Sequence, residues 1–278
     1  MILVIGATGT VGAEVVSQLV AVGDRPRAFV RDINAARQRL GEQPELVVGD
    51  LDRRETIEAA LDGVDRVFLM TTQSSRQPEW EQSVIEVATG AGVARLVKLS
   101  VFRADERSPL QVARQHRRAE LALEQSTLAW TILRPVFFME NVRAMVRDDA
   151  LSTAARDGRV AMIDSRDIAA VAAAALTRAG HEDNTYTLTG PEALSFDDVA
   201  SRLSEHFGRR IRHVRVAEGD VRTALQARGV VPWFADDMAK LHGMLADGYE
   251  EVVTEDVNTV TGSPARSFPQ FIRDTGGI

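Results

Sequence analysis

Three glycines at three-residue intervals, Gly6, Gly9 and Gly12, follow directly on the apolar run Ile2-Leu3-Val4-Ile5 at the head of the chain. A chain that leaves a buried strand and turns at once into a helix needs residues that tolerate a tight bend and carry no Cβ. Gly6 and Gly9 meet that need, and Gly12 lets the new helix lie close against the sheet. Backbone N–H groups left free at such a helix start attract anionic phosphate. The spacing GxxGxxG is one residue longer than GxGxxG in its first half. Its context, strand before and amphipathic helix after, marks a pyrophosphate loop rather than a structural turn. Gly6, Thr8, Gly9, Thr10, Val11 and Gly12 are therefore expected to hold a dinucleotide.

Short β-branched runs alternate with helical patterns as far as Pro135, the signature of a parallel sheet with crossover helices. Strands are expected at Ile2–Ile5, Arg27–Val30, Leu46–Val48, Val67–Met70, Leu96–Leu99 and Thr131–Leu133. Helices are expected after the glycine loop, at Arg54–Leu61, Glu79–Thr89 and Gln111–Gln125. Beyond them the pattern loosens. It gives a helix over Phe138–Ala150, a strand over Val160–Ile163, a small-residue helix over Asp167–Leu176 and a strand over Thr185–Leu188. Ser195-Phe196-Asp197-Asp198 reads as a capping box opening a helix to Phe207. Asp220–Asp247 reads as helical with a break at Gly229–Pro232. The expected fold is α/β, a doubly wound parallel sheet of the Rossmann type with a smaller C-terminal α/β lobe. The division is a nucleotide domain over 1–150 and a substrate lobe over 151–278, some of whose elements return to the main sheet.

Ligand contacts in such folds lie at the carboxyl ends of the strands. Arg31 follows the second strand, where an acidic residue would bind a ribose 2′-hydroxyl and an arginine a 2′-phosphate. This favours NADP, with NAD as the alternative; pairing of Arg31 with Asp32 or with solvent is the structural alternative. Asp50 and Leu51 close the third strand on the adenine side. Thr71 and Thr72 close the fourth, near the riboses. Each of these four serves equally well as a turn residue.

The net charge of -7 argues against a nucleic-acid surface. With no cysteine, disulfides, thiolate catalysis and Cys-based metal sites are excluded. His181, His206, His213 and His242 show no metal-ligand spacing and read as surface or local structural residues. The acidic stretch Asp247–Asp256 reads as a solvated face. The first residues lack the pattern of a signal peptide, and no apolar run is long enough to cross a bilayer, so a cytoplasmic protein is expected.

The motifs Gly6–Gly12, Phe29-Val30-Arg31-Asp32, Gly49-Asp50-Leu51 and Thr131-Ile132-Leu133-Arg134-Pro135 resemble the NmrA-like branch of the atypical short-chain dehydrogenase/reductases. So do Phe137-Phe138-Met139-Glu140-Asn141, Asp164–Ala169 and Tyr186–Pro191. The branch includes NAD(P)H-dependent quinone and dye reductases, isoflavone-reductase-like enzymes, bacterial tailoring oxygenases of aromatic polyketides and a non-catalytic redox-sensing regulator. The resemblance implies an NAD(P)H-dependent reductase of a quinone-like or polycyclic aromatic compound, without flavin or metal. The tailoring monooxygenase and the sensor are its alternatives, and a homo-oligomer is compatible with it.

Ordinary short-chain dehydrogenases use a Tyr-x-x-x-Lys pair. Neither Tyr186 nor Tyr249 has a lysine four residues on. In the isoflavone-reductase-like relatives a lysine opens the helix before the sixth strand, and the matching position here is His116. It stands as candidate acid or base, with a surface residue on a charged helix as the alternative. Ser100 falls where the family's cofactor and substrate meet, which implies a catalytic or cofactor-binding hydrogen bond to either one; simply ending the fifth strand is the alternative. The expected substrate lining is Phe137, Phe138 and Met139, with Trp80 and Trp233 as lid residues and core packing as the alternative for each; Asn141 fixes a polar edge or caps the next helix.

Overall fold

The computed structural model describes residues 1–276. The chain forms two compact units. Unit 1 comprises Met1–Glu106, Gln115–Arg134 and Ile168–Tyr186; unit 2 comprises Arg107–Arg114, Pro135–Asp167 and the chain from Thr187.

The first half alternates strand and helix: β1 (Ile2–Ile5), α1 (Thr10–Ala21), β2 (Arg27–Val30), α2 (Ile33–Leu40), β3 (Glu45–Val48), α3 (Arg54–Ala60), β4 (Arg66–Leu69), α4 (Gln77–Gly90), β5 (Arg95–Leu99), α5 (Gln111–Glu124) and β6 (Ala129–Pro135). The remaining elements are α6 (Asn141–Met145), β7 (Val146–Arg147), β8 (Ala150–Thr153), β9 (Arg159–Val160), α7 (Ser165–Thr177), β10 (Asn184–Leu188), β11 (Leu194–Ser195), α8 (Phe196–Phe207), β12 (Arg212–Arg215), α9 (Glu218–Ala227), α10 (Pro232–Ala246), α11 (Asp256–Thr261) and α12 (Phe268–Thr275).

The main sheet has seven strands in the order β10-β6-β5-β4-β1-β2-β3, with β1 through β6 joined by parallel ladders. Parallel strands buried on both faces read as continuous apolar runs, and all four residues of β1 are buried. Chain order reverses between β1 and β4, which opens a crevice at their carboxyl ends. Leu3, Ile5, Val67, Leu69, Leu96 and Ile132 pack beneath Ile57, Val84, Ile85 and Leu123 in one core cluster.

Unit 2 holds a small sheet in the order β12-β8-β7 and the antiparallel pair β11-β9. The helix expected over Phe138–Ala150 ends at Met145, and the chain then folds into the β7-β8 hairpin. Its loop is Asp148-Asp149, both at positive φ (49° and 59°), the mirror-image turn that matches the twist of paired strands. The strand expected over Val160–Ile163 is only Arg159–Val160, with Ile163 joined to Phe138 as a lone parallel bridge. The capping box at Ser195 forms as expected, Ser195 and Asp198 satisfying each other's backbone N–H. The acidic stretch after Asp247 is not simply solvated. Glu250 is buried and accepts the Phe137 N–H at 2.9 Å, and Asp256 accepts the Thr187 N–H at 2.7 Å. Backbone N–H groups without a ladder partner recruit these carboxylates, so chemistry that looked surface-like is structural.

Candidate functional site

In unit 1 the glycine loop behaves as its spacing requires. Gly6 takes φ +77°, and a Cβ there would stand 2.4 Å from the Met70 carbonyl oxygen. A Cβ on Gly12 would lie 2.1 Å from the Gly6 oxygen. Both distances are below any real contact, so the strand-to-helix turn closes only over bare backbone. Gly9 caps α1 without a side-chain bond, leaving the first N–H groups of a 12-residue helix free for an anion. A cavity of about 340 Å³ opens at this point. Gly6, Thr8 and Gly9 form its floor; Arg31, Asp50, Leu51, Thr71, Thr72 and Trp80 complete its wall. Val11 and Gly12 are buried behind it, and Thr10 is outside the wall.

Arg31 is exposed at the rim and forms no ion pair among the described residues. Asp32, its suspected partner, is used otherwise: its carboxylate accepts the N–H groups of Asn34 and Ala35 and so starts α2. Trp80 lines this cavity. Its indole N–H donates to Asp52, and Arg76 pairs with Asp52 at 2.6 Å and lies 5.8 Å over the indole ring.

Behind Thr71 runs a buried polar chain. The Thr71 hydroxyl donates to Glu81 Oε1 at 2.9 Å, and Glu81 Oε2 meets Lys98 Nζ at 2.8 Å with neither side chain exposed. Lys98 also faces the Leu99 carbonyl at 3.0 Å and His116 Nδ1 at 3.1 Å. The ammonium donates to the Leu99 carbonyl and to His116, and Glu81 balances its charge. His116 Nδ1 accepts from Lys98, and its Nε2 lies 3.1 Å from the Gln77 amide nitrogen, which also donates to Glu81 Oε1. Burial, with the Lys98 charge added, holds the His116 pKa well below the imidazole range, so the ring is neutral. His116 is thus an interior residue and not one on a charged surface. Two signals for this network were in the sequence. Lys98 interrupts the apolar strand Leu96–Leu99, and Gln77 and Glu81 share the helical face of Val84, Ile85 and Ala88.

Ser100 donates its hydroxyl to Glu120 Oε1 at 2.6 Å. Arg134 grips the same carboxylate through two bonds, 2.9 and 2.5 Å. Burial opposes ionisation of Glu120, but the Arg134 and Ser100 bonds outweigh it and hold the carboxyl below its usual range.

Unit 2 contains a cavity of about 450 Å³. Of the expected substrate residues, Phe137 and Asn141 line it. Met139 is buried, its N–H bonded to the Ile163 carbonyl, and Phe138 bridges Ile163. Trp233 packs on Phe234, ring centroids 5.5 Å apart, and it is Phe234 that reaches the cavity. His242, read from the sequence as surface or local structure, is buried in this wall; burial lowers its pKa to about 4. Sequence reasoning also missed Glu140. Burial raises its carboxyl pKa, and Oε1 accepts both the N–H (3.0 Å) and the hydroxyl of Ser165. Among the described residues no His, Asp and Glu cluster could hold a metal ion, and no helix is long and apolar enough to cross a membrane.

A parallel sheet whose strand order reverses beside a glycine-cradled helix start defines a dinucleotide-binding protein of the Rossmann type. The family model described as NAD(P)H-binding matches residues 6–179, and the chain belongs to that family. Its resemblance to NmrA-like reductases holds across the comparisons, and the chain is an NAD(P)H-dependent oxidoreductase. It is 37% identical over 277 residues to NAD(P)H azoreductase of Xenophilus azovorans, covering 98% of this chain and 97% of that protein. It is 30% identical to quinone oxidoreductase 2 of Escherichia coli, covering 86% of each. The crystal structure of that E. coli enzyme with NADPH superposes with a TM-score of 0.89 at 26% identity, over the full length of both chains. The Citrobacter sp. triphenylmethane reductase complexed with NADP(H) gives 0.86 at 26% identity over 99% of each.

The cradle at Gly6, Gly9 and Gly12, which a Cβ would fill, fits a pyrophosphate. Thr8, Asp50, Leu51, Thr71 and Thr72 line the cavity beside Gly6 and Gly9.

Proposed function

We propose that the protein is an NADPH-dependent reductase of quinone-like or other conjugated aromatic acceptors. When bound, the nicotinamide supplies a hydride. The observation that carries this reading is the state of the candidate proton donors in unit 1. The Ser100 hydroxyl is given to Glu120, the Lys98 ammonium is buried against Glu81, the Leu99 carbonyl and His116, and His116 is neutral and enclosed. An aliphatic ketone needs a proton as its alkoxide develops. A quinone or azo compound spreads the incoming charge over a π system and takes its proton from water. A protein whose acids are tied down serves the second class. Its own residues bind, orient and exclude water. Glu81 accepts the hydrogen bond of the Thr71 hydroxyl, which leaves the Thr71 oxygen, in the wall of the nucleotide cavity, as an acceptor for a ribose hydroxyl. The unpaired Arg31 favours the 2′-phosphate of NADPH over NADH.

The test follows absorbance of NADPH and NADH with a panel of quinones, azo dyes and aliphatic ketones, with and without oxygen. Quinone or azo reduction that persists without oxygen, and prefers NADPH, is expected. No NADPH oxidation with any acceptor, or oxidation by aliphatic ketones alone, would overturn the reading.

A further inference from the structure

Unit 2 contains a cavity whose wall is mostly apolar, with Phe137, Phe234, Leu225 and Met238 among its residues. Its volume, about 450 Å³, is that of a drug-sized ligand site. Two charged side chains reach it, and both are engaged with backbone. The Arg228 guanidinium donates to the Ala144 carbonyl at 2.6 Å, and the Asp220 carboxylate accepts the Ala217 N–H at 3.0 Å. Their signs oppose, so the cavity carries no net charge to draw in an ion.

His242 differs from them. The Ala154 N–H donates to its Nδ1 at 3.3 Å. A neutral imidazole has one donor and one acceptor nitrogen, so this bond fixes the proton on Nε2. Nε2–H has no partner among the described residues, and the ring lines the cavity. An oriented donor in an apolar pocket rejects ligands that leave it unsatisfied.

Resting on the reductase reading above, we propose that this cavity binds an uncharged, flat aromatic ligand carrying a carbonyl-type oxygen and that His242 Nε2–H selects it. Quinones fit this description; cationic triarylmethane dyes do not. His242 is here a specificity-determining residue, and no proton transfer is assigned to it.

The experiment measures binding of 1,4-naphthoquinone and of naphthalene to the full chain by calorimetry, with and without NADP⁺. His242→Asn keeps an acceptor near the Nδ1 position and removes the donor at Nε2. His242→Gln keeps a donor near Nε2. The expected result is about 5–10-fold weaker quinone binding in His242→Asn, the loss of one neutral hydrogen bond. Part of it should return in His242→Gln. Naphthalene should bind wild type and His242→Asn alike, and NADPH affinity should not change. Ala224→Phe, which fills the cavity from α9, should abolish quinone binding and leave NADPH binding intact. Should His242→Asn fail to fold, Ala224→Phe and the preference of wild type for quinone over naphthalene decide the matter. Unchanged quinone affinity in His242→Asn or Ala224→Phe, or no quinone binding to wild type, overturns the proposal. Quinone that binds as described but is never reduced by NADPH instead overturns the reductase reading and leaves the site standing.

Discussion

The buried His242 makes folding stability depend on acidity in a way that can be isolated. Its imidazole has an ordinary pKa of 6.5 and is lowered by burial to about 4 in the folded protein. Above pH 6.5 the ring is neutral whether the chain is folded or not. As the pH falls, the unfolded chain takes up the proton first, and folding weakens until the folded ring also titrates near 4. The loss from this one group is about 2 kcal/mol between pH 7 and pH 5, and about 3 kcal/mol by pH 4. With a urea m-value of about 3 kcal/mol per molar, the first figure moves the unfolding midpoint by about 0.6 M. His116, lowered by burial and by Lys98, acts in the same direction. The comparison is therefore between wild type and His242→Asn, in which His116 is common to both. Urea unfolding followed by circular dichroism at pH 7 and pH 5 should show the wild-type midpoint dropping further than that of the variant, by about 0.6 M. Equal drops in the two proteins would refute the reasoning, because the folded ring would then be charging as readily as the unfolded one.

Gly12→Ala brings a Cβ within 2.1 Å of the Gly6 oxygen and must push α1 off the loop, so NADPH affinity measured by calorimetry should fall more than about tenfold. Lys98→Met leaves the Glu81 charge buried and should cost about 3–5 kcal/mol, while Lys98→Met with Glu81→Leu should recover most of it. Thermal denaturation of the two variants checks this, and a double variant no better than the single one would contradict it. Arg31→Ser removes the cation at the nucleotide rim and should raise KM for NADPH about 10- to 100-fold, the worth of a charge-assisted bond, with KM for NADH unmoved.

The sheet was readable because a strand buried on both faces is an unbroken apolar run, as in Ile2–Ile5. The glycine loop was readable because close approach admits one residue type. The small helix α2 was missed, although Asp32 ahead of Ile33 and Gly41 behind Leu40 are its two stops. The β7-β8 hairpin was missed because apolar spacing over Phe138–Ala150 suits a helix as well. Only the positive φ of Asp148 and Asp149 decides it, and that appears in no periodicity. Of the site, residues at strand ends were placed by the parallel topology itself. Glu81, Lys98 and His242 were not, because a buried charge or a buried imidazole is explained by a partner distant in sequence. His242 owes its tautomer to Ala154, 88 residues away. Similarly, Glu250 looked like part of a solvated acidic run until Phe137 was seen to donate to it.

The enclosure of Lys98 also has a practical side. The chain has only two lysines, and Lys240 is the exposed one. An amine-reactive reagent should therefore tag Lys240 and the exposed Met1 amine first, and Lys98 only when unit 1 opens around it. The rate at which the Lys98 tag appears, read by peptide mass spectrometry, becomes a stopwatch for that opening. A nucleotide that binds against Thr71, one hydrogen bond away from Lys98's carboxylate partner, should slow it.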